Sequence, residues 1–160
     1  MKRALFIYFL IAVALFSSTW FDPAARLIGT PKDPKLFVWY LGWLPHELSL
    51  GHNPLFTDYL SYPSGVNLMW NTSMIFPALL LWPVTAAVGP VVAYNLLITA
   101  GLALSAWFGF LAARRFIDSE RACFAAGLLY GFSPALIAQA LGHPHVVVAV
   151  FPPIALVLGH

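Results

Sequence analysis

Residues 91–113, VVAYNLLITAGLALSAWFGFLAA, are the longest run of the chain without a charged residue or a proline, and Arg114 and Arg115 follow it directly. About 20 consecutive apolar residues suffice for a helix that crosses a bilayer. Positively charged residues favour the cytoplasmic end of such a helix. The run therefore predicts a transmembrane helix that passes from outside to inside.

The composition of the chain agrees with a membrane location. Of its 160 residues, 61% are hydrophobic and only 9% are charged, whereas about a quarter of the residues of a soluble domain carry charge. The net charge of +2 indicates no nucleic-acid partner, and the single Cys123 excludes an intrachain disulfide. We predict an all-α integral membrane protein with about four membrane helices or half-helices, and an external loop that bears interfacial helices.

Three further apolar runs complete a single transmembrane domain over residues 1–160. The predicted spans are residues 4–20, 91–113, 122–141 and 146–159, and a signal peptide is the alternative for the first. Residues 73–88 contain two prolines and predict a re-entrant or interfacial helix, with a full span as the alternative. Because the chain ends just after an apolar run, we expect it to be the amino-terminal part of a larger protein.

The positive charges set the predicted orientation. Of the eight Lys and Arg residues, two come directly after Met1 and three lie between residues 113 and 122. The other three lie in the loop 21–72. The amino terminus is therefore expected in the cytoplasm and the loop on the external side of the membrane. The membrane is expected to be the plasma (inner) membrane, and the chain is expected to cross it several times. The lipid bilayer is the first predicted partner.

The external loop 21–72 holds four of the six acidic residues and two of the five histidines. Asp33-Pro34 is typical of a helix start, because Asp caps the first free N–H groups and Pro suits the first turn. This predicts a helix from Pro34 to about Leu50. Its aromatic residues predict that it lies at the membrane surface, and Glu47 is expected to face water.

Six motifs appear along the chain in an order that resembles one family. They are Asp33-Pro34, Trp39-x-x-x-Trp43, Gly51-x-Asn53-Pro54-Leu55-Phe56, Tyr62-Pro63-x-Gly65-x-Asn67, Ala93-Tyr94-Asn95 and Gly142-His143-x-His145. Together they resemble bacterial polytopic glycosyltransferases of the C-type superfold, over nearly the whole chain. The resemblance implies a hexosyl- or pentosyltransferase of the cell envelope. Such an enzyme moves a sugar from a polyprenyl-phosphate donor to a glycan or protein acceptor on the extracytoplasmic face.

The resemblance implies a catalytic role for Asp33, because an acidic residue early in the first external loop is catalytic or metal-linked in that family. Its carboxylate would accept a proton from the acceptor hydroxyl, or bind a divalent cation (Mg²⁺ or Mn²⁺) that bridges the donor phosphate. A cap for the helix that begins at Pro34 is the structural alternative. The two histidines at 143 and 145 lack a third ligand of evident spacing, so we assign no metal ligands.

Six further residues are candidates for substrate binding. Lys32 and Lys35 flank Asp33 and would hold the donor phosphate. His143 and His145 would contact the phosphate or the acceptor, and Trp39 and Trp43 would stack on a sugar ring. The structural alternatives are solvated loop charges, solvated turn histidines and membrane-anchoring aromatic residues.

A rival function is a non-catalytic membrane protein, such as a transporter or flippase fragment or an assembly subunit. A transporter would carry ionisable residues near the middle of its spans, whereas the charges here lie at the ends of the apolar runs. The chain also has no glycine-rich phosphate loop, which agrees with a lipid-linked donor rather than a nucleotide sugar. These patterns favour chemistry at the membrane surface.

Overall fold

The computed structural model describes residues 1–30, 33–70 and 73–159, and α-helices dominate this part of the chain. The helices are α1 Lys2–Leu15, α2 Ser17–Trp20, α3 Asp33–Ser49, α4 Ile75–Leu80, α5 Trp82–Val88, α6 Pro90–Ala113, α7 Glu120–Gly131, α8 Pro134–Ala140, α9 Pro144–Val147 and α10 Phe151–Leu158. Two short strands, β1 Phe56–Thr57 and β2 Val66–Asn67, pair antiparallel, and a 3₁₀ turn follows them over Leu68–Trp70.

Helix α6 lies at the centre of the fold. It packs against α1, α3, α5, α7, α8, α9 and α10. Its buried residues are Ala93, Tyr94, Asn95, Leu97, Ile98, Thr99, Gly101, Leu102, Ala103, Ser105, Ala106, Phe110 and Ala112. Because every residue of α6 is buried or half-buried, the other helices cover this helix over much of its length. The longest apolar run of the sequence is thus the core helix of the structure.

The prediction of an all-α protein with about four membrane helices is wrong. Within the described residues, α6 alone is long and apolar enough to cross a membrane, or α6 and the bent pair α7–α8 if that pair counts as one span. The core helix of a soluble protein meets the same criterion, and 50% of the most apolar window of α6 is buried in the fold. The β1–β2 pair also shows that the chain is not all-α.

Breaks in the helices account for the missing spans. Helix α1 stops at Leu15, and the predicted span 122–141 bends by 44° between α7 and α8. Over 146–159 the chain forms only the end of α9 and the eight residues of α10, and 73–88 divides into α4 and α5. Prolines lie in the first turn of α5, α8, α9 and α10, where they suit a helix start but interrupt a continuing helix.

The predicted helix 34–50 is confirmed as α3, within one residue at each end. Its predicted place at a membrane surface is wrong, because one face packs against α4, α5 and α6. The buried residues of α3 are Pro34, Phe37, Tyr40, Leu41, Trp43, Leu44, Pro45 and Glu47. Their spacing of three and four residues is that of a helix with one face in a protein core.

The segment that leads to α3 is held by one buried side chain, that of Asn95 on α6. Its Oδ1 accepts the N–H of Ile28 at 3.0 Å, and its Nδ2 donates to the carbonyls of Pro23 at 3.0 Å and Arg26 at 2.8 Å. Asn95 is fully buried. One asparagine therefore satisfies three backbone groups, and it fixes the chain five residues before α3 begins.

Glycines allow α7 to approach α6 closely. A Cβ at Gly131 would collide with the backbone N and the Cβ of Ala106 on α6. A Cβ at Gly127 would collide with the carbonyl oxygen of Ala106 and with the hydroxyl of Tyr8 on α1. Both glycines are buried. The α6–α7 contact therefore depends on the absence of a side chain at these positions.

We expect the substitution Gly131→Ala to lower the free energy of unfolding by about 2 kcal/mol, because the added methyl forces the two helices apart. Chemical denaturation in detergent measures this change. Gly42→Ala on α3 is the matched control, since its Cβ would lie 3.6 Å from Pro90 Cγ, an ordinary contact. Equal stability of the two variants would contradict the close approach.

Candidate functional site

Asp33 is the first residue of α3 and is exposed. Its carboxylate lies next to Gly142: a Cβ built on that glycine would be 3.8 Å from Asp33 Oδ2. The positive end of the α3 dipole is a favourable place for a negatively charged group. The fold thus places the predicted catalytic residue against a turn more than 100 residues later in the chain.

Two backbone features hold the start of α3 against that turn. The N–H of Thr30 donates to the carbonyl of Leu141 at 2.9 Å. Gly29 has φ +112°, and a Cβ there would collide with the same carbonyl and touch the ring of Pro34. Only glycine readily adopts this φ, so the approach of the two segments depends on Gly29.

His143 directly follows this turn and His145 lies in α9, and both are exposed. Their rings meet edge to face, with centroids 5.8 Å apart and an interplanar angle of 85°. The ring of His145 also lies 5.9 Å from that of Phe37 on α3. The fold therefore gathers Asp33, Phe37, Gly142, His143 and His145 into one group, which we call the α3–α9 cluster.

Of the two predicted lysines, only Lys35 lies within the described residues. Lys35 is exposed in the first turn of α3, two residues after Asp33. Lys32 lies outside the described residues. Residues two positions apart on a helix point to different sides, so Lys35 shares the first turn of α3 with Asp33 but does not face the same side.

The two predicted tryptophans do not join the α3–α9 cluster. The rings of Trp39 and Trp43 stack on each other at 5.0 Å, and Trp43 is ten residues, about 15 Å of helix, beyond Asp33. Trp43 is buried, and its Nε1 donates to the carbonyl of Pro54 at 3.1 Å. Since it packs inside the fold, the alternative of a membrane anchor is wrong for Trp43.

Glu47 does not face water, contrary to the expectation from its sequence. It is 7% exposed, and its carboxylate oxygens lie 3.3 Å from His52 Nδ1 and 3.8 Å from His46 Nε2. The sequence did contain a signal: Glu47 is three residues after Leu44 and seven after Tyr40, both on the buried face of α3. Helical periodicity applied to the polar residues would have placed it there.

An apolar groove of about 490 Å³ adjoins the α3–α9 cluster. It is bounded by α4, the middle of α6, α9 and the start of α10. Representative lining residues are Met74, Phe76, Leu97, Gly101, His145 and Phe151. We call it the α4–α6 groove. His145 belongs to both the α4–α6 groove and the α3–α9 cluster, so an apolar groove and a polar cluster meet at this residue.

The divalent cation that the family resemblance left open for Asp33 stays a prediction, since Mg²⁺ is often held by one or two carboxylates together with substrate phosphates. No group of three or more His, Cys, Asp or Glu side chains in the described ranges could hold a metal ion. Asp33 and the two histidines are side chains that can accept or donate protons.

Comparison with known proteins identifies no relative of this chain. No family model matches it, and no curated protein or solved structure is significantly similar to it. The resemblance of its motifs to glycosyltransferases of the C-type superfold therefore stays a prediction.

Proposed function

We propose that this chain is part of a membrane-associated glycosyltransferase. It would transfer a sugar from a polyprenyl-phosphate donor to a glycan or protein acceptor on the extracytoplasmic face. The observation that most supports this proposal is the meeting of the α4–α6 groove with the α3–α9 cluster at His145. A donor of this class is amphiphilic in the same way, with an isoprenoid chain joined to a charged phosphate.

The α4–α6 groove suits the isoprenoid part of the donor. Its wall is formed largely by apolar side chains, and one side is the central part of α6. Removal of apolar surface from water contributes about 25 cal/mol per Å², so the isoprene units nearest the phosphate would favour the groove over water. Their position would set the phosphate beside the exposed histidines.

The α3–α9 cluster suits the reacting end of the donor. The acceptor hydroxyl attacks the anomeric carbon, the bond from that carbon to the phosphate oxygen breaks, and polyprenyl phosphate leaves with the bonding electron pair. Asp33 accepts the proton of the hydroxyl. The ring N–H groups of His143 and His145 donate to the phosphate oxygens, and the Lys35 ammonium offsets their negative charge.

A plasma-membrane location is part of the proposal and depends on α6. If α6 crosses the bilayer, the exposed Arg114 and Arg115 beyond its end would lie in the cytoplasm. Asn95 lies in the second turn of α6 and holds the segment that leads to Asp33. The α3–α9 cluster would then lie towards the external side of the membrane.

A transfer assay tests the proposed donor class. Membranes from cells that express the protein are incubated with a radiolabelled hexose or pentose on polyprenyl phosphate, and label is counted after extraction of lipids. We expect more label in the glycan or protein fraction than with membranes that lack the protein, and none from nucleotide sugars. Equal label without the protein, or transfer from nucleotide sugars only, would overturn the proposal.

A further inference from the structure

A second pocket lies at the opposite end of α3 from Asp33. It has a volume of about 480 Å³ and is formed by the last turns of α3, the loop that follows, and β1 with the two residues after it. The lining residues that matter for binding are Trp43, Glu47, His52, Asn53, Asp58 and Tyr59. We call it the α3–β1 pocket, and we propose that it binds an uncharged sugar or an amino sugar.

The α3–β1 pocket has an aromatic wall for the apolar face of a sugar. Tyr59 is 75% exposed, and its ring meets that of Trp43 at 5.3 Å and 65°. Trp43 is itself fixed by its stacking on Trp39 and by its hydrogen bond to Pro54. A rigid, accessible aromatic ring offers contact area at little conformational cost, and the C–H face of a pyranose packs on such a ring through dispersion.

The pocket also has a buried carboxylate that can accept hydrogen bonds from sugar hydroxyls. The side chain of Glu47 is only 10% exposed. One of its oxygens lies 3.3 Å from His52 Nδ1, and the other lies 3.8 Å from His46 Nε2. A carboxylate has about four acceptor positions, so two histidines leave some of them for a ligand. Hydrogen bonds to an ionised acceptor are about twice as strong as those between neutral groups.

A neighbouring amide provides the complementary donor. Asn53 accepts the N–H of Leu55 at 3.0 Å through its Oδ1. This bond orients the side chain through its oxygen, so its NH₂ group serves as a donor for a ring or hydroxyl oxygen. Sugar hydroxyls both donate and accept, and the pocket thus has a partner for each role.

The charges of the α3–β1 pocket select among sugars. Glu47 and Asp58 are acidic, and neither Lys nor Arg is among the residues that line the pocket in the described part of the chain. Two carboxylates repel a phosphorylated sugar or a uronic acid. They tolerate a neutral sugar and attract the ammonium group of an amino sugar.

The α3–β1 pocket is separate from the α3–α9 cluster, because Trp43 lies about 15 Å along α3 from Asp33. The proposal concerns binding alone and does not depend on sugar transfer. A protein that binds sugars here but transfers none would disprove the proposed function and leave this inference intact. The reverse result would disprove only this inference.

Calorimetric titration and saturation-transfer NMR of the purified protein in detergent test the inference. The probes are glucose, galactose, mannose, N-acetylglucosamine and glucosamine, with glucose 6-phosphate and glucuronate as charged comparisons. We expect saturable binding of at least one of the first five sugars, and weaker or no binding of the two acidic ones. A failure of all five to bind would overturn the proposal.

Two substitutions localise the binding to the pocket. We expect Tyr59→Ala to weaken it by about 10-fold and Glu47→Gln by about 10-fold or more. Tyr62→Ala, at a tyrosine that is 83% exposed and outside the pocket, is the matched control. Since Tyr59 is also exposed, its loss does not threaten folding. Equal affinity of the Tyr59→Ala variant and the native protein would contradict the proposal.

Discussion

Replacement of Asp33 by Asn is expected to lower sugar transfer by about 10²- to 10⁴-fold, the usual contribution of a positioned general base. An amide has nearly the shape of a carboxylate but cannot accept the proton of the acceptor hydroxyl. The side chain would still fit beside Gly142 at the start of α3. The measurement is the initial rate of label transfer from the polyprenyl-phosphate donor at equal protein level.

The same variant separates catalysis from helix capping. Asn caps a helix about as well as Asp, so a purely structural role of Asp33 predicts little change in either stability or transfer. Asp22→Asn is the matched control, since Asp22 is also exposed and lies in the same loop. Unchanged transfer by Asp33→Asn would eliminate Asp33 as the base, and an equal loss in Asp22→Asn would point to a general effect of charge in the loop.

Asn95→Leu is expected to lower the free energy of unfolding by about 3 kcal/mol or more. The substitution leaves the Ile28 N–H and the carbonyls of Pro23 and Arg26 without their partner, and each buried unpaired group costs about 1–3 kcal/mol. Chemical denaturation in detergent gives the value. Because these groups hold the segment before α3, transfer should decrease as well.

Asn67→Leu is the matched control for Asn95→Leu. Asn67 is exposed, and its side chain accepts a local hydrogen bond from the N–H of Met69 at 2.9 Å. Its loss should change the free energy of unfolding by less than about 1 kcal/mol, because water can replace the partner. If the two variants were equally stable, Asn95 could not be the residue that secures the loop.

Local signals in the sequence predicted α3 well. The Asp33-Pro34 start and the Gly51 end act over one turn of chain, so they needed no knowledge of the rest of the fold. The apolar run 91–113 likewise predicted a long helix, and α6 extends over Pro90–Ala113. Its neighbours decided its setting, because seven other helices pack against it. About four membrane helices or half-helices were predicted, whereas within the described residues one helix, or at most two, is long and apolar enough to cross a membrane.

The candidate site was predicted only in part. Asp33, His143 and His145 could be chosen from the sequence, but the contact between the start of α3 and the turn after α8 joins segments more than 100 residues apart. Such contacts follow from packing around α6, which no short motif encodes. Trp39 and Trp43 were predicted for the same site, and the geometry of α3 places Trp43 about 15 Å away from Asp33.

The sequence by itself determined where the long helices begin and which residues are able to do acid–base chemistry. These properties depend on backbone preferences and on side-chain type, which act locally. Only the tertiary structure decided that Glu47 is buried between two histidines and that His145 joins a polar cluster to an apolar groove. Burial and proximity result from the packing of distant segments, so they could not be predicted from any stretch of the chain considered alone.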